Sequence, residues 1–248
     1  IYQYKYDRSP NEPIFEFKNR ALIHFALDTE NVFMTTRLQG ENTYFLPFNQ
    51  GSNGAGNIGG KGNPICEDNY DTSYLWNKVL TKDMLLEILS KYIHLEVSEK
   101  EGEKKEVVIF PRFHQLDVVT KLIESVKEIG SGRNYLIQHS AGSGKSNSIA
   151  WLAYRLACLH RNNKRVFASV IVVTDRKVLD TQLQDTIYQF DHVDGVVEKI
   201  DKGKTSKDLL KAINEGKDII ITTIQKFPRI YKDIIGENKN FAIIVDEA

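Results

Sequence analysis

The sequence predicts an α/β fold: a parallel-sheet lobe, preceded by a β-rich stretch and a helical linker. Three observations carry this. From Val107 onward, short apolar runs alternate with segments whose apolar residues recur three to four apart, as in right-handed strand–helix–strand crossovers. Within that half, Tyr135–Ser146 reads as strand, Gly-rich turn, Lys-Ser and then helix. Finally, Phe241–Ala248 is an unbroken apolar run ending in two acids, which predicts a central parallel strand delivering carboxylates to its C-terminal edge.

The middle stretch is the most specific. Tyr135, Leu136 and Ile137 look like a buried strand. Small residues follow (Ser140, Ala141, Gly142, Ser143, Gly144), then Lys145 and Ser146, then apolar Ile149, Ala150, Leu152, Ala153, Leu156 and Leu159 at helical spacing. Such a turn bares backbone N–H groups, the helix N-terminus adds partial positive charge, and Lys145 supplies a full one, which suits phosphate. Ser146 would hold Mg²⁺. The pattern Gly-x-x-x-x-Gly-Lys-Ser is broken only at its first position, where His139 stands. A turn that merely connects strand to helix is the plainer reading. The second motif argues against it. Asp246 would hold Mg²⁺, and Glu247 would orient and deprotonate an attacking water.

Composition leaves the partner open. Lys+Arg and Asp+Glu number 33 each in 248 residues, so overall charge names no ligand and nucleic-acid binding would need a local patch. The hydrophobic fraction of 41% suffices for a core, and the length allows one large or two smaller domains. Cys66 and Cys158 give neither metal spacing nor a disulfide framework and fit a reducing, cytoplasmic setting. No apolar run approaches a membrane span, and no secretory signal opens the chain. The sequence reads as a piece of a longer protein.

In chain order, Tyr2–Pro13 predicts a helix end plus a loop. Ala21–Leu27, Asn31–Arg37 and Thr43–Phe48 are apolar runs split by turn-like residues, which predicts an antiparallel meander. Two patterns here mislead. Glu16-Phe17-Lys18 has the form of a nuclease Glu-x-Lys, but only Asp7 lies upstream, so a solvated strand face is the better reading. Gly54–Gly59 has the form of a dinucleotide fingerprint, but Gly60, Gly62 and Pro64 forbid the helix that must follow, so Gly51–Pro64 is read as a flexible loop.

Asp71–Glu96 is mainly helical, with Thr72 or Ser73 and then Thr81 as caps, and Met84, Leu85, Ile88, Leu89 and Tyr92 as one stripe. Glu96–Glu106 is nearly all charge and is read as a solvated turn or linker and as the best domain boundary. The expected divisions are therefore 1–60, 61–106 and 107–248.

In the last of these, Phe110–Gln115 precedes a helix with Leu116, Val119, Leu122, Ile123 and Val126 on one face. The Gln115 amide can both donate and accept, which matches adenine. Val166–Thr174, Gly195–Ile200, Asp218–Ile221 and Phe241–Val245 are expected strands, and Thr181–Tyr188 and Ser206–Asn214 expected helices. Strand ends at Thr174, Asp175, Arg176 and at Thr222, Thr223 suit a nucleic-acid backbone; ordinary helix capping is the alternative.

Phe-His-Gln at 113–115, Gln-His-Ser-Ala-Gly-Ser-Gly-Lys-Ser at 138–146, Val-Val-Thr-Asp-Arg at 172–176, Thr-Thr-Ile-Gln-Lys-Phe at 222–227 and Val-Asp-Glu-Ala at 245–248 resemble the first motifs of superfamily 2 helicases. The version at 138–146 is similar to that of the restriction (R) subunit of type I restriction-modification enzymes, where His commonly fills the same place. Leu-Ile-His-Phe-Ala-Leu-Asp at 22–28, Val-Phe-Met-Thr-Thr-Arg-Leu at 32–38, Tyr-Phe-Leu-Pro-Phe-Asn-Gln-Gly at 44–51 and Thr-Ser-Tyr-Leu-Trp at 72–76 resemble the same subunit.

The resemblance implies a nuclease joined to two RecA-like lobes that pump duplex DNA with ATP and Mg²⁺. Residues 1–60 would then be the tail of the nuclease domain, with its catalytic acids upstream, and 107–248 the first RecA-like lobe of a P-loop NTPase. Ala141–Ser146 would take the nucleotide, Gln115 would select adenine, and residues 174–176 and 222–223 would touch DNA. Modification and specificity subunits would be partners, and a second lobe would supply an arginine finger. The alternatives are an ATP-dependent RNA or DNA helicase lobe of another superfamily 2 protein, and a non-enzymatic adaptor with a degenerate loop.

Overall fold

A computed structural model of the chain describes residues 1–100, 103–140, 142–174, 183, 186–188, 196–200, 203–234 and 239–246, the side chains of 98–100 and 103 aside. The chain divides into two compact units, Ile1–Asp117 and Val118–Ala248.

The first unit opens with two helical turns, Gln3–Asp7 and Pro13–Phe15. Strands β1 (His24–Leu27), β2 (Val32–Thr35) and β3 (Leu46–Pro47) then form the expected antiparallel meander, in the order β1-β2-β3. Asp28 shapes its first turn, accepting the N–H groups of Asn31 at 2.7 Å and Glu30 at 2.8 Å. Those two bonds hold its carboxyl below the ordinary aspartate value. Behind the meander the core is aromatic. Phe48 is fully buried, its ring meeting Phe25 at 5.4 Å and Phe113 at 5.8 Å, and Tyr74 donates its hydroxyl to the Phe48 carbonyl at 2.6 Å.

Two expectations for this unit are corrected and one, the loop at 51–64, is filled in. Glu16-Phe17-Lys18 lies in a turn, not on a strand face. Lys18 has φ 67°, Glu16 accepts from Asn19 at 2.7 Å, and Lys18 pairs with Glu106. Gly51–Pro64 is a loop, but one laced by side chains: Asn53 and Asn57 bond main chain within it, and Asn63 ties it to the Glu30 carbonyl at 2.8 Å. The charged run is more than a solvated turn or linker. It forms a hairpin of β4 (His94–Lys100) and β5 (Glu103–Ile109), because pairing needs only backbone, and Leu95, Val97, Val107 and Ile109 punctuate the charges.

Before that hairpin, α1 (Lys82–Lys91) follows Thr81 and buries Ile88, with Tyr92 just past its end. Helix α2 (Phe113–Ile129) follows β5, and the boundary between the units falls within it. Its expected face (Leu116, Val119, Leu122, Ile123, Val126) is buried throughout.

In the second unit α3 (Lys145–Ala157) leads to a basic hairpin, β6 (His160–Arg161) and β7 (Lys164–Arg165), turned by Asn162 and Asn163 at φ 50° and 61°. The sheet follows: β8 (Ser169–Thr174), β9 (Val197–Lys199), β10 (Ile219–Thr223) and β11 (Phe241–Val245). All described pairings are parallel, in the order β11-β8-β10-β9. Between β9 and β10 lies α4 (Ser206–Glu215), closed at its N-terminus by a capping box of Thr205 and Asp208.

The two faces sort by alternation. Ile171, Val173 and Ile220 pack with Leu209, Ala212 and Ile213 of α4. Helix α3 packs on β8, β10 and β11, so Val170, Val172, Thr174, Ala242, Ile244 and Asp246 fall on its side. At the opposite ends of the helices, cations meet last-turn carbonyls. Arg161 donates to Glu128 of α2 at 2.9 Å, Arg165 to Ala157 of α3 at 3.1 Å, and Lys239 to Asn214 of α4 at 3.4 Å.

Two corrections concern this sheet. Tyr135–Ile137 forms no strand: the segment is unpaired and Leu136 is 89% exposed. Likewise β11 is an edge strand among the described residues, not a central one. The two go together, since among the described residues no strand pairs with the outer side of β11. Of the expected helix at 181–188, only residues 183 and 186–188 are described, and they are helical. No helix among the described residues is long and apolar enough to cross a membrane.

Candidate functional site

The loop before α3 is shaped by two glycines in the left-handed region, Gly142 at φ 71° and Gly144 at φ 80°. Among the described residues, a Cβ at Gly142 would meet nothing within 4 Å, so the chain faces open space at that position. Gly144 is the N-cap of α3, and its carbonyl accepts from Asn147 at 3.2 Å and Ser148 at 3.4 Å. Lys145 and Ser146 are therefore the first helical residues, Lys145 exposed and Ser146 half-buried, while Ser143 is buried.

Asp246 follows the last residue of β11 and donates its backbone N–H to Val173 at 3.0 Å. It falls on the α3 side of the sheet. Lys145 and Asp246 line one cavity of ≈ 960 Å³. Its walls are the 130–139 segment, the outer edge of β11 and apolar residues of α2 and α3. Arg133, His139 and Ser148 are among its polar members.

The other expected site residues divide. Ala141, Asp175, Arg176 and Glu247 lie outside the described residues. Thr174, Thr222 and Thr223, expected at a DNA-facing sheet edge, are buried. They close strands covered on both faces, and among the described residues the hydroxyls of Thr174 and Thr222 find no hydrogen-bond partner. Gln115 belongs to the first unit. It is 3% exposed, and its side-chain oxygen accepts the Arg112 N–H at 2.8 Å, one half of a capping box for α2. Arg133 escaped the sequence reading; its signal is the Gly130-Ser131-Gly132 break just after α2.

Residues 114–248 match the family model described as SWI2/SNF2 ATPase. The chain belongs to that family. It is also 27% identical over 185 residues to the type I restriction enzyme HindI endonuclease subunit of Haemophilus influenzae, a match covering 70% of this chain but 17% of that protein. Among solved structures it is similar to the UvsW helicase from bacteriophage T4, at 21% identity and TM-score 0.39, covering 68% of this chain and 51% of that one.

A SWI2/SNF2 ATPase uses a nucleotide, and the residues present fit one. The open turn at Gly142, the exposed Lys145 at a helix start and the carboxylate of Asp246 across one cavity supply main-chain donors, a cation and an acid. The parallel sheet and the family match together fit a RecA-like α/β lobe.

Proposed function

We propose that this chain is part of the ATP-dependent DNA-translocating restriction (R) subunit of a cytoplasmic type I restriction-modification system. One observation carries the reading: Lys145 and Asp246 line the same cavity, in a SWI2/SNF2 chain that is also similar to a type I endonuclease subunit. Residues 1–60 would be the end of a nuclease domain, 61–106 the region joining it on, and 107–248 the first motor lobe.

In this reading the 141–146 turn and the N-terminus of α3 bind the phosphates through main-chain N–H groups, and Lys145 neutralises their charge. Ser146 and Asp246 would hold Mg²⁺, which screens phosphate charge during transfer. Glu247 orients the attacking water and accepts its proton. Gln115 selects adenine with its amide. Asp175 and Arg176, with the strand ends at Thr174, Thr222 and Thr223, would contact duplex DNA, the substrate that moves. The modification and specificity subunits supply sequence recognition.

The test uses the full-length protein. Wild type and Lys145→Ala are titrated with ATP, and hydrolysis is followed with and without duplex DNA. Wild type binds ATP and is stimulated by DNA, while the variant loses at least about tenfold in affinity. Equal, weak binding by both would leave an adaptor with a degenerate loop. Stimulation by RNA in place of duplex DNA would favour a different helicase.

A further inference from the structure

We propose that His139 contacts the phosphate chain of the bound nucleoside triphosphate, from the position where glycine usually opens such a loop. The inference rests on the nucleotide reading above and names a residue for it.

A glycine at this position offers a ligand only main chain. An imidazole adds a ring N–H when neutral, and two N–H groups and a full charge when protonated. His139 is half-buried and lines the same cavity as Lys145 and Asp246. The segment that carries it belongs to no strand, so sheet alternation does not dictate where its side chain lies.

The electrostatics favour a second donor there. The other charged or titratable groups lining the cavity are Arg133 and Tyr135 on the same segment, Lys145 on α3 and Asp246 beyond β11. Arg133 lies over the Tyr135 ring at 5.8 Å, and Lys145 is the first residue of α3, next to the loop itself. A triphosphate entering the cavity meets these cations and also the Asp246 carboxylate. A donor on the wall at 139 offsets the repulsion, most strongly as imidazolium, because hydrogen bonds with an ionised partner on each side are the strong ones.

The experiment titrates ATP with Mg²⁺ into the full-length protein at about pH 6, 7 and 8. It compares wild type, His139→Gly, His139→Gln and Lys145→Ala, each checked for folding by circular dichroism. His139→Gly rebuilds the usual Gly-x-x-x-x-Gly-Lys-Ser and still binds at least about tenfold more weakly than wild type near pH 6, with a smaller loss at pH 8. His139→Gln keeps a donor that does not titrate; it binds between the two, with a flatter pH profile. The proposal is overturned if His139→Gly binds as tightly as wild type at every pH, or if all three profiles run parallel. Loss of binding in Lys145→Ala with full binding in His139→Gly removes His139 alone. Equal binding by wild type and Lys145→Ala removes the nucleotide reading itself.

Discussion

Asp246 hangs from Val173: its backbone N–H reaches the Val173 carbonyl at 3.0 Å, which carries the β11–β8 pairing one step past the end of β11. The carboxylate therefore sits at a fixed height on the α3 side of the sheet, on the wall of the cavity that Lys145 also lines. Asp246→Asn keeps that backbone bond and removes the charge. In the full-length protein it should lower Mg²⁺-dependent ATP hydrolysis on the order of a hundredfold or more and leave the thermal midpoint nearly unchanged. Hydrolysis at wild-type rate would remove Asp246 from the site.

Gln115 serves α2 through its side-chain oxygen, which accepts the Arg112 N–H. Gln115→Glu keeps an acceptor and discards the amide donor. The half capping box should persist, the buried charge should cost some stability, and any preference for ATP over GTP should fall about tenfold. Gln115→Leu loses both, and the lost cap should cost about 0.5–2 kcal/mol. If Gln115→Glu retains full base preference in nucleotide competition, the residue is a cap alone.

Leu136 and Ile220 make a matched pair of aliphatic truncations. Ile220 of β10 is buried with residues of β8 and α4, and Ile220→Ala should cost about 2–5 kcal/mol. Leu136 projects into solvent, and Leu136→Ala should change stability by less than about 0.5 kcal/mol. Denaturant melts of both decide it: comparable losses would mean that 135–137 is buried after all.

His24 sits among aromatic rings, with Phe15 at 5.5 Å and Tyr4 at 5.8 Å, and burial pulls its pKa below the ordinary histidine value. The unfolded chain takes up its proton near the usual value, about 6.5. The folded chain takes it up only at lower pH. Between those values the unfolded state holds more protons, so stability falls as pH drops from about 6.5 toward the folded value. His24→Phe should flatten that part of the profile. Thermal melts between about pH 7.5 and 5 would show it, and an unchanged slope would clear His24.

Much of this was legible in the sequence because the signal was local. Helices α2, α3 and α4 announced themselves by apolar spacing, and β8, β10 and β11 by runs such as Ser169–Thr174 and Phe241–Val245. What failed depended on partners. Tyr135–Ile137 has the composition of a buried strand, but composition does not say what pairs with it. Glu96–Glu106 looked like a linker because charge was counted and cross-strand backbone pairing was not. In Gly51–Pro64 the glycines mark a loop, but which carbonyls the asparagine amides reach is settled only in the folded chain. At the site, the Gly142–Ser146 turn and Asp246 were visible as motifs. The burial of Thr174, Thr222 and Thr223 was not, since it depends on helices packed over both faces of the sheet.

The outer side of β11 has a consequence at the bench. Phe-Ala-Ile-Ile-Val carries no proline and no charge, and Ile243 and Val245 are 62% and 48% exposed. Natural sheets guard such borders against sticking to other molecules. Handled alone at high concentration, these 248 residues should clump strand against strand, and a lysine introduced at Ile243 should keep them dispersed.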